Sequence, residues 1–292
     1  MGRFLVLHAF AKVNLHLDIG PRRSNGYHDL QTVFQQISLH DTLRFSLRND
    51  GQIILKSHQK KFPLGADNII VKALLKLQSH LKLKQGINVW CKKRIPMGAG
   101  LGGGSTDAAT ALWGGWMLWT KKKKPRQVPP ILMKMALELG ADVPFFLKGG
   151  TAWAEGVGEK LKRISFSSQK WLVLIYPDEH VSTPLAYKLF DQANNQGRFH
   201  WRKKNFSWAR NEFKKYPHTS FLNSFEPVVF KKFPKVKKAF QLLQKAGCKG
   251  VRMSGSGSCV FGIVSSKKSG EEVLNNFKKE NFLVFVTNFR VL

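Results

Sequence analysis

Five glycines fall within the seven residues from Gly98 to Gly104, and the chain then turns abruptly into Ser105-Thr106-Asp107 and a helix-like run through Ala108, Ala109 and Ala111. Glycine accepts positive φ and carries no Cβ, so successive amides in such a loop can converge on one point. Convergent amides bind an anion. A helix opening on a Ser-Thr-Asp cap directly behind them adds unpaired donors and the positive end of its dipole. The chemistry this spacing offers is a phosphate cradle, with a plain flexible turn as the alternative. A second Gly/Ser loop, Ser254 to Ser258, lies in the other half of the chain. Lys12, Asn14 and His16 alternate with Val13, Leu15 and Leu17, a period of two that puts three polar side chains on one face of a strand. Asp142 is a solitary carboxylate between a helix end and what reads as a Pro-initiated strand at Val143-Pro144. On residue type alone, Lys12 reads equally as a solvated edge residue and Asp142 as a turn residue.

The familiar phosphate loops do not fit. Gly98, Gly100 and Gly103 satisfy G-x-G-x-x-G, but a dinucleotide fold also wants an acidic residue about 20 positions on, and Ala108 to Leu137 contains no Asp or Glu. A P-loop counted from Gly98 would need lysine where Gly104 stands. The H-R-D and D-F-G elements of protein kinases are absent from the chain.

At 292 residues with 43% hydrophobic and 12% aromatic content, the chain can fill one large core or two medium ones. Cys91, Cys248 and Cys259 make an odd count without a C-x-x-C pair, which points away from a disulfide framework and towards a reducing, cytoplasmic setting. The apolar run at the start is too short for a signal peptide, and Val6 stands where a myristoylation motif needs Ser or Thr. No run of 18 apolar residues spans a membrane. The nine histidines show no metal-ligand spacing, and no residue is assigned to a metal. Charge is the oddity: 48 Lys and Arg against 18 Asp and Glu give +30. Between Gln196 and Lys245 there are 13 Lys or Arg against Glu212 and Glu226, interleaved with Phe199, Trp201, Phe206, Trp208 and Tyr216. That texture attracts polyanions, but it equally describes a cationic surface over helices whose aromatics face inward, and no RNA- or DNA-reading signature accompanies it.

The elements that must position these residues follow from pattern. Strands are expected around Val13–Leu17, over Asp41 to Arg48 and Gly51 to Lys56, and along "GINVWCKKRIP" into the glycine loop. "GPRRSNGYHDL" is a turn-rich loop ending in an exposed-looking pair, Tyr27-His28. Asp67-Asn68 caps an amphipathic helix with Ile69, Ala73, Leu74 and Leu77 on one face. A helix runs from Pro130 to Leu139 and stops at Gly140. "KWLVLIYPD" is a buried strand, "STPLAYKLF" a capped helix start, "VKKAFQLLQKAG" a helix and "NFLVFVTNF" a closing strand. The halves divide near residue 165, giving domains 1–165 and 166–292, read as two α+β lobes facing a shared cleft.

"AKVNL" (Ala11 to Leu15), "PMGAGLGGGSTDAA" (Pro96 to Ala109) and "MSGSGSCVF" (Met253 to Phe261) resemble, in that order, the three motifs of the GHMP small-molecule kinase superfamily. "AKVNLHLDIGPRRSNGYHDLQTVFQ", "DNIIVKA" and "GADVPFFLKGGTAWAEGVGE" are similar to the branch that phosphorylates the 2-hydroxyl of a cytidine-diphosphate-linked methylerythritol on the non-mevalonate route to isopentenyl diphosphate. The resemblance covers nearly the whole chain and is weakest from Asn194 to Lys238. It implies an α+β, two-lobed GHMP kinase fold, with an N-terminal ribosomal-S5-like nucleotide lobe, a C-terminal ferredoxin-like α/β lobe and the active site in the cleft between them. ATP and Mg²⁺ are the implied cofactors. By this resemblance Pro96, Met97, Gly98, Ala99, Gly100, Leu101, Gly102, Gly103, Gly104, Ser105 and Thr106 wrap the phosphates of ATP, with Asp107 among the neighbours of the phosphates and magnesium. Asn68 reaches the nucleoside or serves as a plain cap. Asp142 is the implied base for the substrate hydroxyl, and Lys12 stabilises the developing charge. Tyr27 and Tyr187 would stack on the cytosine with His28 at its edge, Asn14 and Thr183 would contact the erythritol and diphosphate, and Gly255, Ser256 and Gly257 would bind substrate.

Two other readings compete: a sister GHMP kinase acting on mevalonate, homoserine or a sugar, and a basic nucleic-acid-binding protein on a kinase scaffold. The expected partner is a small molecule, with no specific nucleic acid, no membrane, and a monomer or weak homodimer. The basic surface should bind duplex DNA only through phosphates, so its affinity should collapse between low salt and roughly 200 mM. A sequence-selective complex surviving at that salt in a filter-binding titration would contradict this.

Overall fold

The computed structural model describes residues 4–165, 170–195, 201–214, 221–277 and 280–290. The chain forms two compact units, one of residues 1–11, 40–97 and 102–149, the other of residues 12–39, 98–101 and 150–292. Strands β1 (Leu5–Arg22) and β2 (His28–Arg48) pair with one another and contribute residues to both units. The turn between them closes through Arg23 N donating to Tyr27 O at 2.6 Å, with Gly26 at φ +86°.

In the first unit, the outer part of β2 pairs antiparallel with β4 (Gly86–Lys92), and β3 (Ile53–Ser57) pairs parallel with β4. Between β3 and β4 runs α1 (Ile69–His80), which buries Ile70, Ala73, Leu74 and Leu77 at helical spacing. Asn68 caps it, its Oδ1 accepting from Ile70 N at 2.8 Å. After β4 come α2 (Gly103–Thr120), α3 (Pro130–Leu139) and α4 (Val143–Lys148). The α2 helix is buried along most of its length, and Gly114 and Gly115 are what let it sit so deep. A Cβ at Gly114 would lie 2.6 Å from the ring tip of Phe45, itself fully buried.

Two local expectations are corrected here. The α2 helix begins at Gly103, with Gly102 in the N-cap position at φ +69° and no side-chain cap, so Ser105, Thr106 and Asp107 lie inside the helix instead of capping it. Val143-Pro144 opens the α4 helix, not a strand, because proline is tolerated in a first turn where its missing N–H has no partner to lose.

In the second unit, β5 (Thr151–Glu155) pairs antiparallel to the inner part of β2, and β6 (Lys160–Arg163) pairs to β5. Then follow β7 (Trp171–Tyr176), α5 (Thr183–Asn194), α6 (Phe206–Lys214), α7 (Glu226–Lys232), α8 (Pro234–Lys245), β8 (Lys249–Met253), β9 (Val260–Val264), α9 (Lys267–Asn276) and β10 (Leu283–Asn288). The last four strands form a sheet in the order β10-β7-β9-β8, antiparallel throughout. Its core joins Val173, Ile175, Val251 and Val260 to Val236, Ala239 and Leu243, the inner stripe of α8. In the basic middle segment Trp208 packs inward, its ring centroid 5.1 Å from that of His16 and 6.1 Å from that of Trp153. Phe199 and Tyr216 lie outside the described residues. Among the described residues no helix is long and apolar enough to cross a membrane.

Alanine at an ordinary helical glycine stabilises by about 1 kcal/mol. At Gly114 the overlap with Phe45 reverses that sign, and G114A should lose roughly 1–3 kcal/mol in a denaturant titration. A stabilised G114A would show that α2 is not packed this closely.

Candidate active site

Strand β1 carries a polar face into the interior of the second unit, where Lys12, Asn14 and His16 are all buried. Burying such groups is tolerable only with partners. Lys12 Nζ donates to Asn14 Oδ1 at 2.5 Å and lies 5.1 Å from the centroid of the Phe34 ring. Asn14 Nδ2 donates to Thr32 Oγ1 at 2.8 Å, and Thr32 Oγ1 donates to His16 O at 2.6 Å. The His16 imidazole is held neutral, its pKa pushed down to about 3 by burial and then by Lys204 and Arg252.

Both glycine loops are fastened to this strand. Lys12 N donates to Leu101 O at 3.0 Å, and Cys259 N donates to Ala99 O at 3.1 Å. Ser254 Oγ accepts from Asn14 N at 3.3 Å and donates to Gly100 O at 2.9 Å. Gly100 sits at φ +75°, and a Cβ there would fall 2.0 Å from Ser254 O, so both the conformation and the close approach require glycine. Farther along the second loop, Ser256 Oγ lies 3.0 Å from Thr183 Oγ1 in the first turn of α5, a helix that Ser182 caps. Lys12, Asn14, Gly98 to Leu101, Thr183 and Gly255 to Gly257 are thus brought together as one hydrogen-bonded neighbourhood of a single unit, apart from Gly98, whose neighbour is the His180 ring.

Tyr27 and His28 part company. Tyr27 is 64% exposed, while His28 is 6% exposed, which corrects the expectation of an exposed pair. His28 Nδ1 lies 2.9 Å from Gly20 O, and its Nε2 lies 2.9 Å from Asp191 Oδ1 on α5. Its ring stacks on that of Tyr187, with centroids 5.2 Å apart and planes at 25°. Tyr187 and His28 therefore form one aromatic wall with Tyr27 projecting from the strand end beside it.

In the first unit, Gly102 to Thr106 continue the glycine loop into the uncapped start of α2. Gly104 and Met97 are exposed, Pro96 and Ser105 half-buried, and Thr106 buried. Asn68 is occupied as a cap, and its Nδ2 also donates to Pro63 O at 2.6 Å. Asp142 is half-buried at the N-terminal boundary of α4 and does not cap that helix. Asp107 is buried within an ion cluster, so it does not stand among open groups at the loop: Lys93 Nζ donates to Asp107 Oδ2 at 2.6 Å and also to Asp41 Oδ2. Asp41 Oδ1 in turn accepts from Ile95 N at 2.9 Å, tying β2 to the segment that enters the glycine loop. Burial lifts the Asp107 pKa to about 7 against the opposing pull of Lys93. The Lys93 ammonium is itself held above its ordinary range, burial being outweighed by the two carboxylates.

Two family models match, "GHMP kinases N terminal domain" over residues 68–150 and "GHMP kinases C terminal" over residues 208–282. A protein of Desulfitobacterium hafniense named 4-diphosphocytidyl-2-C-methyl-D-erythritol kinase is 37% identical over 96% of this chain and 94% of its own. One of the same name from Pelodictyon phaeoclathratiforme is 38% identical over 89% of this chain and 88% of its own. The chain belongs to the 4-diphosphocytidyl-2-C-methyl-D-erythritol kinase family of the GHMP kinases. A crystal structure of 4-(cytidine 5'-diphospho)-2C-methyl-D-erythritol kinase superimposes with a TM-score of 0.82 at 32% identity, covering 98% of this chain and 99% of the other. A homoserine kinase from Cytophaga hutchinsonii shares the fold alone, with a TM-score of 0.69 at 17% identity over 100% of this chain and 96% of its own.

For this GHMP kinase, sequence reading missed Thr32, Lys93 and Asp41. Thr32 and Asp41 belong to strand patterns without any local motif, and Lys93 looks like one more exposed lysine beside Lys92. The only available signal was the pair of acids, Asp41 and Asp107, in segments otherwise short of them. The cluster has a pH signature. A carboxyl whose folded pKa lies above its unfolded value contributes stability at low pH that is lost as pH rises through the folded value. Asp107→Asn keeps an acceptor for Lys93 without that titration, so its melting temperature should gain on the parent's as pH rises from about 4 to about 7. Parallel melting curves across that range would contradict the raised pKa of Asp107.

Proposed function

We propose that the chain transfers the γ-phosphoryl of ATP to the 2-hydroxyl of 4-diphosphocytidyl-2-C-methyl-D-erythritol, on the methylerythritol phosphate route to isopentenyl diphosphate in a cytoplasmic setting. The observation that carries the reading is the Lys12–Asn14 pair held on β1 against both glycine loops, in a chain 37% identical to a kinase of that name. By function, residues 1–165 form the proposed ATP-binding domain and residues 166–292 the C-terminal GHMP domain.

The uncapped N-terminus of α2 and the positive-φ glycines before it fit a triphosphate. ATP supplies the phosphoryl group, and Mg²⁺ on its phosphates supplies countercharge. Ser105 would hold the metal-bound phosphates from the first turn of α2, whereas Asp107 is buried with its Oδ2 held by Lys93 and its Oδ1 alone left without a hydrogen-bond partner among the described residues. Lys12 stabilises charge on the transferred group, and the short bond from its ammonium to Asn14 fixes its direction. Asp142 takes the proton of the tertiary alcohol, whose pKa is far above neutrality. Asn14 and Thr183 orient the erythritol and diphosphate, and the Gly255–Gly257 segment lies against them. Tyr27 and Tyr187 would stack on the cytosine, with His28, fixed by Gly20 and Asp191, at its edge.

ADP release should require the cytidine-linked alcohol and Mg²⁺, with mevalonate, homoserine and galactose inert; equal turnover of mevalonate would sink the assignment. Asp142→Asn should retain the fold and ATP binding and lose roughly 10²–10⁴ in kcat. Lys12→Met should be comparably damaged, and the double variant little worse than either, as for groups acting as one unit. Near-normal kcat in Asp142→Asn would leave positioning and Lys12 as the whole of the catalysis.

A further inference from the structure

The second glycine loop is held from behind by a residue outside all three family motifs. Asn223 is 3% exposed, and its backbone is zipped to β1: Leu17 N donates to Leu222 O at 2.7 Å, and Ser224 N donates to Leu17 O at 2.9 Å. Its side-chain amide spends both hydrogens on the loop, Nδ2 donating to Met253 O and to Gly255 O, each at 2.8 Å. Its Oδ1 accepts from Phe225 N at 2.9 Å, which leaves the amide one orientation, since the flipped one would set an oxygen against two carbonyls. Those two carbonyls flank Ser254, whose hydroxyl takes the Asn14 amide. Glu226 Oε1 accepts from Met253 N at 2.8 Å on the same side. The loop is therefore gripped at three consecutive residues by β1 and by the segment bridged to it.

We infer that Asn223 is a positioning residue for the acceptor substrate: its double donation sets the path of Gly255, Ser256 and Gly257 relative to Asn14. The chemistry is demanding at this position. One nitrogen supplies a hydrogen to each of the two carbonyl oxygens, and aspartate of equal size would present only acceptors to them. This rests on the assignment of Gly255–Gly257 to the substrate in the proposed function.

The test compares the parent with Asn223→Asp and Asn223→Ala, the second keeping the question open to measurement if the buried charge of the first prevents folding. KM for 4-diphosphocytidyl-2-C-methyl-D-erythritol should rise at least roughly tenfold in each folded variant. The dissociation constant of ATP, read by calorimetry, should stay within about twofold, and kcat should fall less than KM rises. An unchanged KM for the alcohol, or equal weakening of alcohol and ATP, would overturn the inference. If the parent itself releases no ADP with this alcohol, the kinase reading fails, and the clamp is judged by trypsin cleavage after Arg252 at the base of the loop. Faster cleavage in Asn223→Ala than in the parent supports the clamp, and equal cleavage overturns it.

Discussion

One hydroxyl sets the geometry on which the rest depends. Ser254 Oγ accepts the amide of Asn14 and donates to the carbonyl of Gly100, so a single atom on the second glycine loop fixes both β1 and the first loop. Each such bond is worth only about 1 kcal/mol net. Their force lies in direction, because a buried hydroxyl must satisfy its donor and acceptor at once and so admits few arrangements. Gly100 completes the constraint: with 2.0 Å between a notional Cβ and Ser254 O, the loops can approach only where no side chain intervenes.

From that contact the chemistry of β1 follows. The strand presents polar groups to the interior, and the surroundings answer each side chain, leaving on that face only His16 Nε2 without a hydrogen-bond partner among the described residues. Lys12 meets Asn14, Asn14 meets Thr32, and Asp18 receives Lys204 Nζ at 2.6 Å and Ser224 Oγ at 3.1 Å. His16 Nδ1 accepts from Leu222 N at 3.2 Å and stays uncharged. A polar strand face buried in this manner is an expensive way to build a core. It is a sound way to hold a cation and an amide at fixed positions for a transferring phosphoryl group. The first unit uses the same device, with Lys93 between two carboxylates locking the start of α2 to β2 and to the segment entering the glycine loop.

Sequence pattern spoke clearly where local rules decide. Pro130 and Gly140 bracket α3 because proline suits a first helical position and glycine a stop, and the apolar run of β7 had no other use. It failed where a local rule has two solutions. Gly102 begins α2 without any capping side chain, since a left-handed residue can turn the chain into a helix unaided. Val143-Pro144 satisfies both a strand start and a helical first turn. It was silent where partners are distant. His28 sits in a turn-rich, polar stretch that reads as surface, yet Asp191 and Tyr187 on α5 cover it. The period of β1 named the face bearing Lys12 and Asn14 but not Thr32 or Ser254, which only the folded chain brings to it.

The claim that both glycine loops and β1 form one mechanical unit through Ser254 is tested most directly by amide hydrogen exchange in Ser254→Ala. Loss of the hydroxyl should raise exchange together in the peptides covering 11–17, 98–101 and 254–258, while the sheet of β7, β9 and β10 keeps its protection. Faster exchange confined to 254–258, with the β1 peptide as protected as in the parent, would mean that the strand and the first loop hold their places without it.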